Sequence, residues 1–520
     1  MEAAAGKKPF VFDKGYLKRT ILIGLAFFGI LLVWQLYNSY CSPMLSLLFI
    51  KHDFPGAIDL AKTNMAIAVA NGTLDAKDAV VNMKNILVYG GLTQKDYLSV
   101  QWKVGFIMAL DNIAALFIMP LFGRWSDKTK SKLGKRMPYI IIGSVVTAIA
   151  LPYIPLFFSF GMAAADAKII GMIVGLICTM VVVIVFMMSY RSPAVSLMPD
   201  LTPKPLRSRA NGIINVVGYV GGAFGAIFAI VIPVTSYIDG SNRSLWMLEI
   251  PFIVCSIILL ASIVVLLRRV KENELHKQLD AEIRRGDALG ESAEKVTKSG
   301  KLSRRNRINL ALILIAEVFW FMSLNAVETF QTNYCMFWLN TSSAGGAIMT
   351  IVSGVASVIG FLSAGFIADK IGRKWTIFMG IGTVMLCYVI YAFIPQAAAP
   401  KTSAEMFSAS LPWMFFILLP TIGFGTSLIH ICSFPLVTDY CTSDKLGRFT
   451  ALYYTASMLA QSVTPIVIGL IFQATTWRAM PIYSACLMFV AGAIFIFVKA
   501  PHRMDKAKNV KGLDALGADD

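Results

Sequence analysis

Runs of about 20 residues with almost no charge recur along this chain, long enough to cross a hydrocarbon layer roughly 30 Å thick as a helix. Lys168 to Tyr190 and Trp246 to Leu267 are two of them. A soluble core helix is usually shorter and carries a polar stripe. Only 15% of the 520 residues are charged and 57% are hydrophobic, whereas soluble domains average about 25% charged. A large soluble enzyme would lack the polar surface to cover such a core.

Twelve such spans are predicted, with cores near 21–49, 102–122, 138–160, 168–192, 210–235, 246–268, 308–338, 346–368, 375–395, 411–436, 449–473 and 479–499. An even number places both termini on one side. The loops on that side are basic: Arg124 to Arg136 holds six basic residues and one acidic, and Arg268 to Arg307 holds twelve basic and seven acidic. The loop at 51–100 on the other side is balanced, five against five. Basic loops stay in the cytoplasm, so both termini are expected there, in a multi-pass protein of the cell membrane. The same placement explains the net charge of +17 without nucleic acid, for which no motif is present. The organisation expected is a cytoplasmic tail (1–20), a six-helix bundle (21–268) with a long outward loop (51–100), a cytoplasmic linker (269–307), a second six-helix bundle (308–499) and a cytoplasmic tail (500–520). The outward loop is expected to carry short surface helices.

The second bundle repeats the first. Gly123 and Asp127 recur as Gly365 and Asp369, 242 residues on. The first copy then has four extra residues, after which Gly134 and Arg136 match Gly372 and Lys374 at 238. Asp200 and Arg209 recur as Asp439 and Arg448 at 239. Transporters are commonly built from such repeats. The glycines allow tight turns and close helix approach. Asp127 and Asp369 are placed to pair with arginines such as Arg209 and Arg448, or with helix N-termini. With Asp200, Asp439, Arg136 and Arg373, this set would latch the cytoplasmic ends of the halves. The plainer alternative is a topology signal carried by loop charge.

Gly365-Phe-Ile-Ala-Asp-Lys-Ile-Gly-Arg-Lys374 resembles the characteristic loop of the major facilitator superfamily. The longer copy, Ser126-Asp127-Lys-Thr-Lys-Ser-Lys-Leu-Gly134-Lys-Arg-Met-Pro138-Tyr139, resembles glycoside-pentoside-hexuronide:cation symporters and their sucrose-transporter relatives, as do Tyr190-Arg191-Ser-Pro193 and Arg209-Ala-Asn211-Gly212. The resemblance implies an all-α fold of twelve transmembrane helices in two pseudo-symmetric bundles, and alternating-access symport of a sugar or glycoside with H⁺ or Na⁺. Melibiose-type members place two acidic residues shortly before the Pro-x-x-Gly that ends the second helix. Here Ala115 to Met119, before Pro120, has none. That makes H⁺ the better expectation than Na⁺, and leaves an uncoupled carrier open.

Ionisable groups inside a bilayer are costly and mark function by default. Asp111, beside Asn112, and Arg191 are candidates for an ion pair across the cavity, released when Asp111 is protonated; a static structural pair is the alternative. Glu317, Asn325 and Glu328 share one helical face, extended by Gln331 and Asn333. Trp320 is a candidate for stacking on a sugar ring, whereas Trp338 is expected to anchor at the lipid interface. Trp34, Gln35, Tyr37, Asn38 and Tyr40 supply the amides and hydroxyls that bind sugar hydroxyls, or else pack near the outer face. His430 could titrate near neutral pH or be a satisfied core histidine; Gln461 and Thr464 are weaker candidates. The eight cysteines are scattered without a Cys-x-x-Cys pair, so no metal site is expected. No phosphate-binding loop, His-Glu-x-x-His or Gly-x-Ser-x-Gly occurs, which argues against an ATP-driven pump or a hydrolase. No cofactor is expected beyond the coupling ion, and the chain is expected to act as a monomer. Efflux of a drug-like or amphipathic solute, suggested by the 25 Met and 34 Phe, and a non-transporting sugar sensor are the competing functions.

Overall fold

The computed structural model describes residues 13–75, 88–164, 168–203, 206–234, 245–294, 304–396, 411–440 and 446–499. Among them are twelve helical segments long and apolar enough to cross a membrane. In chain order these are span 1 (Lys14–Asp53), span 2 (Gln94–Lys128), span 3 (Met137–Ala163), span 4 (Ile169–Asp200), span 5 (Ala210–Val231), span 6 (Glu249–Arg269), span 7 (Arg304–Phe337), span 8 (Ala344–Ala368), span 9 (Arg373–Ala392), span 10 (Phe415–Val437), span 11 (Leu452–Ala474) and span 12 (Ala479–Ile496). No strand occurs among the described residues. Hydrocarbon offers backbone groups no hydrogen-bond partner, so each span closes its own bonds as a helix.

Span 1 is longer than its apolar core. Asp13 caps its N-terminus by accepting from the Tyr16 N–H at 2.8 Å, and the helix runs on to Asp53. Its far end is tied down by Lys51, whose Nζ donates to the carbonyls of Met162 and Ala164, both at 2.7 Å. The 51–100 segment carries a helix at Ala57–Ala70 and a short turn of helix at Gln94–Ser99 with a capping box between Thr93 and Asp96. A separate linker helix, Glu272–Glu294, follows span 6.

Glycines set how closely the spans approach. A Cβ on Gly221 of span 5 would collide with the Phe28 carbonyl of span 1. Gly105 of span 2 lies against the Pro465 carbonyl of span 11, and Gly469 of span 11 against the backbone of Trp102. The second pair joins the two halves. Spans 5 and 8 form another junction, where Tyr219 and Phe361 have ring centroids 6.0 Å apart.

Replacing Gly221 with alanine should therefore force spans 1 and 5 apart and cost about 1–3 kcal/mol, as overpacking does. At Gly222 the nearest atoms to a new Cβ are 3.8 Å away, an ordinary contact. Detergent melting curves should separate G221A, clearly destabilised, from G222A, close to the parent protein.

Candidate functional site

At the end of the bundle that carries the 51–100 segment, the two halves are sealed by small neutral groups. Asn333 of span 7 donates through Nδ2 to Ser42 Oγ of span 1 at 3.0 Å, and lies 3.3 Å from both Ser46 Oγ and Gln101 Oε1. All four side chains are buried. Around them Tyr97, Phe337 and Trp477 stack, the last two with ring centroids 5.5 Å apart and planes 10° from parallel. Gln473 Nε2 adds a bond to the Ser99 carbonyl at 3.2 Å.

Deeper in, Asn38 of span 1 donates to Glu328 Oε1 of span 7 at 3.3 Å. Glu328 is solvent-exposed although its neighbours on the helix are buried. Glu328 therefore borders a solvent-accessible space beneath the seal.

Its lining in the first half is built from three spans. Span 1 contributes Trp34, which stacks on Tyr37 at 6.4 Å and 27°. Span 4 contributes Arg191, whose guanidinium lies 5.6 Å from the Trp34 ring centroid. Span 2 contributes Asp111, whose Oδ1 accepts from the Asn112 backbone N–H at 2.5 Å and side-chain Nδ2 at 2.8 Å. Asp111, Arg191 and Glu328 lie within electrostatic reach of one another. They form no ion pair among the described residues. The expected Asp111–Arg191 contact across the cavity is therefore absent, for two reasons. Asp111 is engaged by Asn112, and the Arg191 guanidinium by the Trp34 face.

The other sequence candidates are dispersed. Glu317 is fully buried within the second half, and neither carboxylate oxygen has a hydrogen-bond partner there. Asn325 is buried with its Oδ1 unpartnered. Gln331 ties span 7 to span 8 through Thr350 Oγ1 at 2.5 Å, and Asn333 belongs to the seal. Trp320 is buried against Phe495, with ring centroids 6.1 Å apart. Trp338 is buried too, with its indole N–H donating to the Ile394 carbonyl at 3.0 Å; it is packed inside the half and is not an interface anchor. Gln35 is half-buried and donates to Ser39 Oγ at 3.1 Å. Tyr40 donates to the Ile232 carbonyl at 2.7 Å, joining spans 1 and 5. His430 packs edge-on against Phe321 at 5.2 Å. Gln461 is half-buried, and Thr464 is turned to the Ala460 carbonyl of its own helix. Sequence reasoning missed Ser42, Ser46, Gln101 and Tyr219. The last stands near Glu328 and is 38% exposed, and its only sequence signal was an aromatic hydroxyl amid glycines.

At the termini end, Arg136 organises the loops of the first half. Its NH2 lies 2.5 Å from Asp127 Oδ1, its Nε 2.8 Å from Asp200 Oδ2, and its NH1 donates to Ser126 Oγ at 2.5 Å. Lys135 Nζ reaches Asp200 at 3.1 Å. Burial pushes the Arg136 pKa down, but Asp200 and Asp127 outweigh it and hold the guanidinium above its ordinary value. Asp127 and Asp200 thus take a partner within their own half. Gly134, at φ 117°, turns the chain into span 3, and Gly123 lies against Ser192. In the second half Arg373 donates to the Pro435 carbonyl at 3.3 Å. The side chains of Arg209, Asp369, Asp439 and Arg448 lie outside the described residues.

The Major Facilitator Superfamily family model matches residues 86–405 and 402–516. The chain belongs to that superfamily of membrane transporters and is not an enzyme. It is similar to a sucrose transport protein of Arabidopsis thaliana, 30% identical over 137 residues, 23% of each chain. It is 23% identical over 416 residues to the lactose permease of Lactobacillus delbrueckii subsp. bulgaricus, covering 74% of this chain and 61% of that one. It is 24% identical over 423 residues to the fosmidomycin resistance protein of Escherichia coli, covering 79% and 88%. Thus the chain spans less than two thirds of the length of the first two relatives. Among solved structures, a D-xylose–proton symporter shares the fold with a TM-score of 0.58 at 14% identity, covering 93% and 98%.

Because the seal rests on Asn333, the N333A variant should leave Gln101 and both serines without their shared donor. A single-cysteine reporter at Ser46 should then react with a membrane-impermeant thiol reagent added from the 51–100 side several-fold faster than in the parent background.

Proposed function

We propose that the chain is a proton-coupled symporter of a sugar or glycoside, working by alternating access with both termini in the cytoplasm of a cell-membrane protein. The observation that carries this reading is the mid-depth cluster of Trp34, Asn38, Arg191 and Glu328, with Asp111 in electrostatic reach of it. It combines an aromatic face suited to the C–H face of a sugar with amide, guanidinium and carboxylate groups that pair with vicinal hydroxyls. The lactose and sucrose transport named for two of its relatives supports the same class of solute.

The choice of proton over Na⁺ rests on Asp111. A sodium ion requires several oxygens converging on it. Asp111 Oδ1 instead faces two N–H donors of Asn112, which would repel a cation. A proton needs one oxygen only. Protonation of Asp111 removes its charge beside Arg191 and so changes what the guanidinium can hold, which links the ion to the solute. With the 51–100 end sealed, the conformation is read as the cytoplasm-facing state. A monomer suffices for the cycle, since each half supplies one wall.

Efflux is the second reading, supported by the relative named for fosmidomycin resistance, which this chain matches over 88% of that relative's length. The two separate in proteoliposomes. A panel of glycosides should give accumulation driven by an imposed proton gradient and not by a sodium gradient. If no sugar accumulates under either gradient, symport is wrong; proton-driven extrusion of fosmidomycin would establish efflux in its place.

Asp111→Asn should abolish gradient-driven accumulation while sparing exchange of labelled for unlabelled sugar. Full accumulation by that variant would remove Asp111 from the coupling.

A further inference from the structure

The linker helix begins with Glu272, whose carboxylate is buried against the first half of the protein. It accepts from three consecutive backbone N–H groups: Lys135 at 3.0 Å, Arg136 at 3.0 Å and Met137 at 3.1 Å. These are the opening amides of span 3, whose first helix, Met137–Ala150, has no side-chain cap of its own. The first N–H groups of a helix lack intrahelical partners and favour an anion. Here that anion is supplied from 135 residues away in sequence.

The next residue grips the same loop. Asn273 Nδ2 donates to the Ser131 and Lys132 carbonyls, both at 3.0 Å. Ser131 and Lys132 lie within the four-residue surplus that the second half lacks. In that half, span 9 begins at Arg373 after Gly372, which offers no side-chain cap. Further along the linker helix, Glu282 accepts from the Tyr16 hydroxyl, and Leu279 and Ile283 pack with Tyr16 and Leu206. Every one of these partners belongs to the first half. The middle one of the three amides held by Glu272 is that of Arg136, whose side chain bridges Asp127 and Asp200.

We propose that Glu272 is a positioning residue of the transport cycle. It fixes the backbone at Lys135–Met137 so that Arg136 stays between Asp127 and Asp200, and it makes the linker helix travel with the first half when the halves rock. The proposal rests on the alternating-access part of the function above and not on the solute.

Electron–electron distance measurements on spin-labelled full-length protein, with native cysteines replaced, test it without any substrate. Labels on the exposed Arg284 and Lys128 report linker against first half; labels on Lys128 and Lys370 report the opening between halves. The 284–128 distribution should be narrow in the parent protein and at least twice as broad in E272Q, and the 128–370 populations should shift at least twofold. G134A supplies an independent route, because a Cβ at Gly134 would collide with the Glu272 carboxylate. It should reproduce both changes, and the double variant should equal either single one. E274Q, which removes an exposed carboxylate paired with Lys271, should change neither distribution. A broad 284–128 distribution in the parent protein, or unchanged distributions in both E272Q and G134A, would overturn the proposal. A broadened 284–128 distribution with unmoved 128–370 populations would reduce Glu272 to a structural clamp and overturn its role in the cycle. Since neither label pair needs a sugar, failure of the sugar assays leaves this result standing.

Discussion

Hydrocarbon offers no hydrogen bonds, and the rest of this structure follows from that. Among the described residues the backbone in the layer is almost wholly helical, and every polar side chain there must meet a partner, water or a cost of several kcal/mol. The polar groups of the spans accordingly sort by depth. Asn333, Ser42, Ser46 and Gln101 satisfy one another in the seal. Asn38 bonds Glu328 where that carboxylate reaches solvent, with Asp111 and Arg191 in electrostatic reach. Arg136, Asp127 and Asp200 neutralise one another at the termini end. Glu317 stands apart, buried with neither oxygen bonded.

Most of the fold was legible because the apolar runs are long and their ends are marked by charge. All twelve spans were placed from them; what hydropathy could not show was that span 1 continues as one helix from Lys14 to Asp53, since its last residues are held by packing and by Lys51 rather than by apolar character. The site was legible in part. Trp34, Asn38, Asp111, Arg191 and Glu328 stand out as polar groups in apolar surroundings, and they do converge. Periodicity misled within span 7. Glu317, Asn325, Gln331 and Asn333 were grouped by angle, but at 1.5 Å per residue the first and last are about 24 Å apart along the axis. One helical face thus passes through a buried core, a cavity wall and a seal. Contacts between distant segments, such as Arg136 with Asp200, have no local signal.

The internal repeat carries a related lesson. Two similar halves account for the architecture, yet the asymmetry has its own structural use. The surplus around Ser131 and Lys132 forms the dock for the linker helix, so the connection between the halves is attached to one of them.

The seal has a further consequence. It contains an amide, a second amide and two hydroxyls, with no ion among them. Water can replace each of those bonds at nearly equal enthalpy, so parting the halves there exchanges like for like. Buried opposite charges would instead incur a desolvation penalty on each closing that their attraction need not offset. A closure made of neutral dipoles adds none of the ionic-strength dependence that a seal of exposed charges would carry.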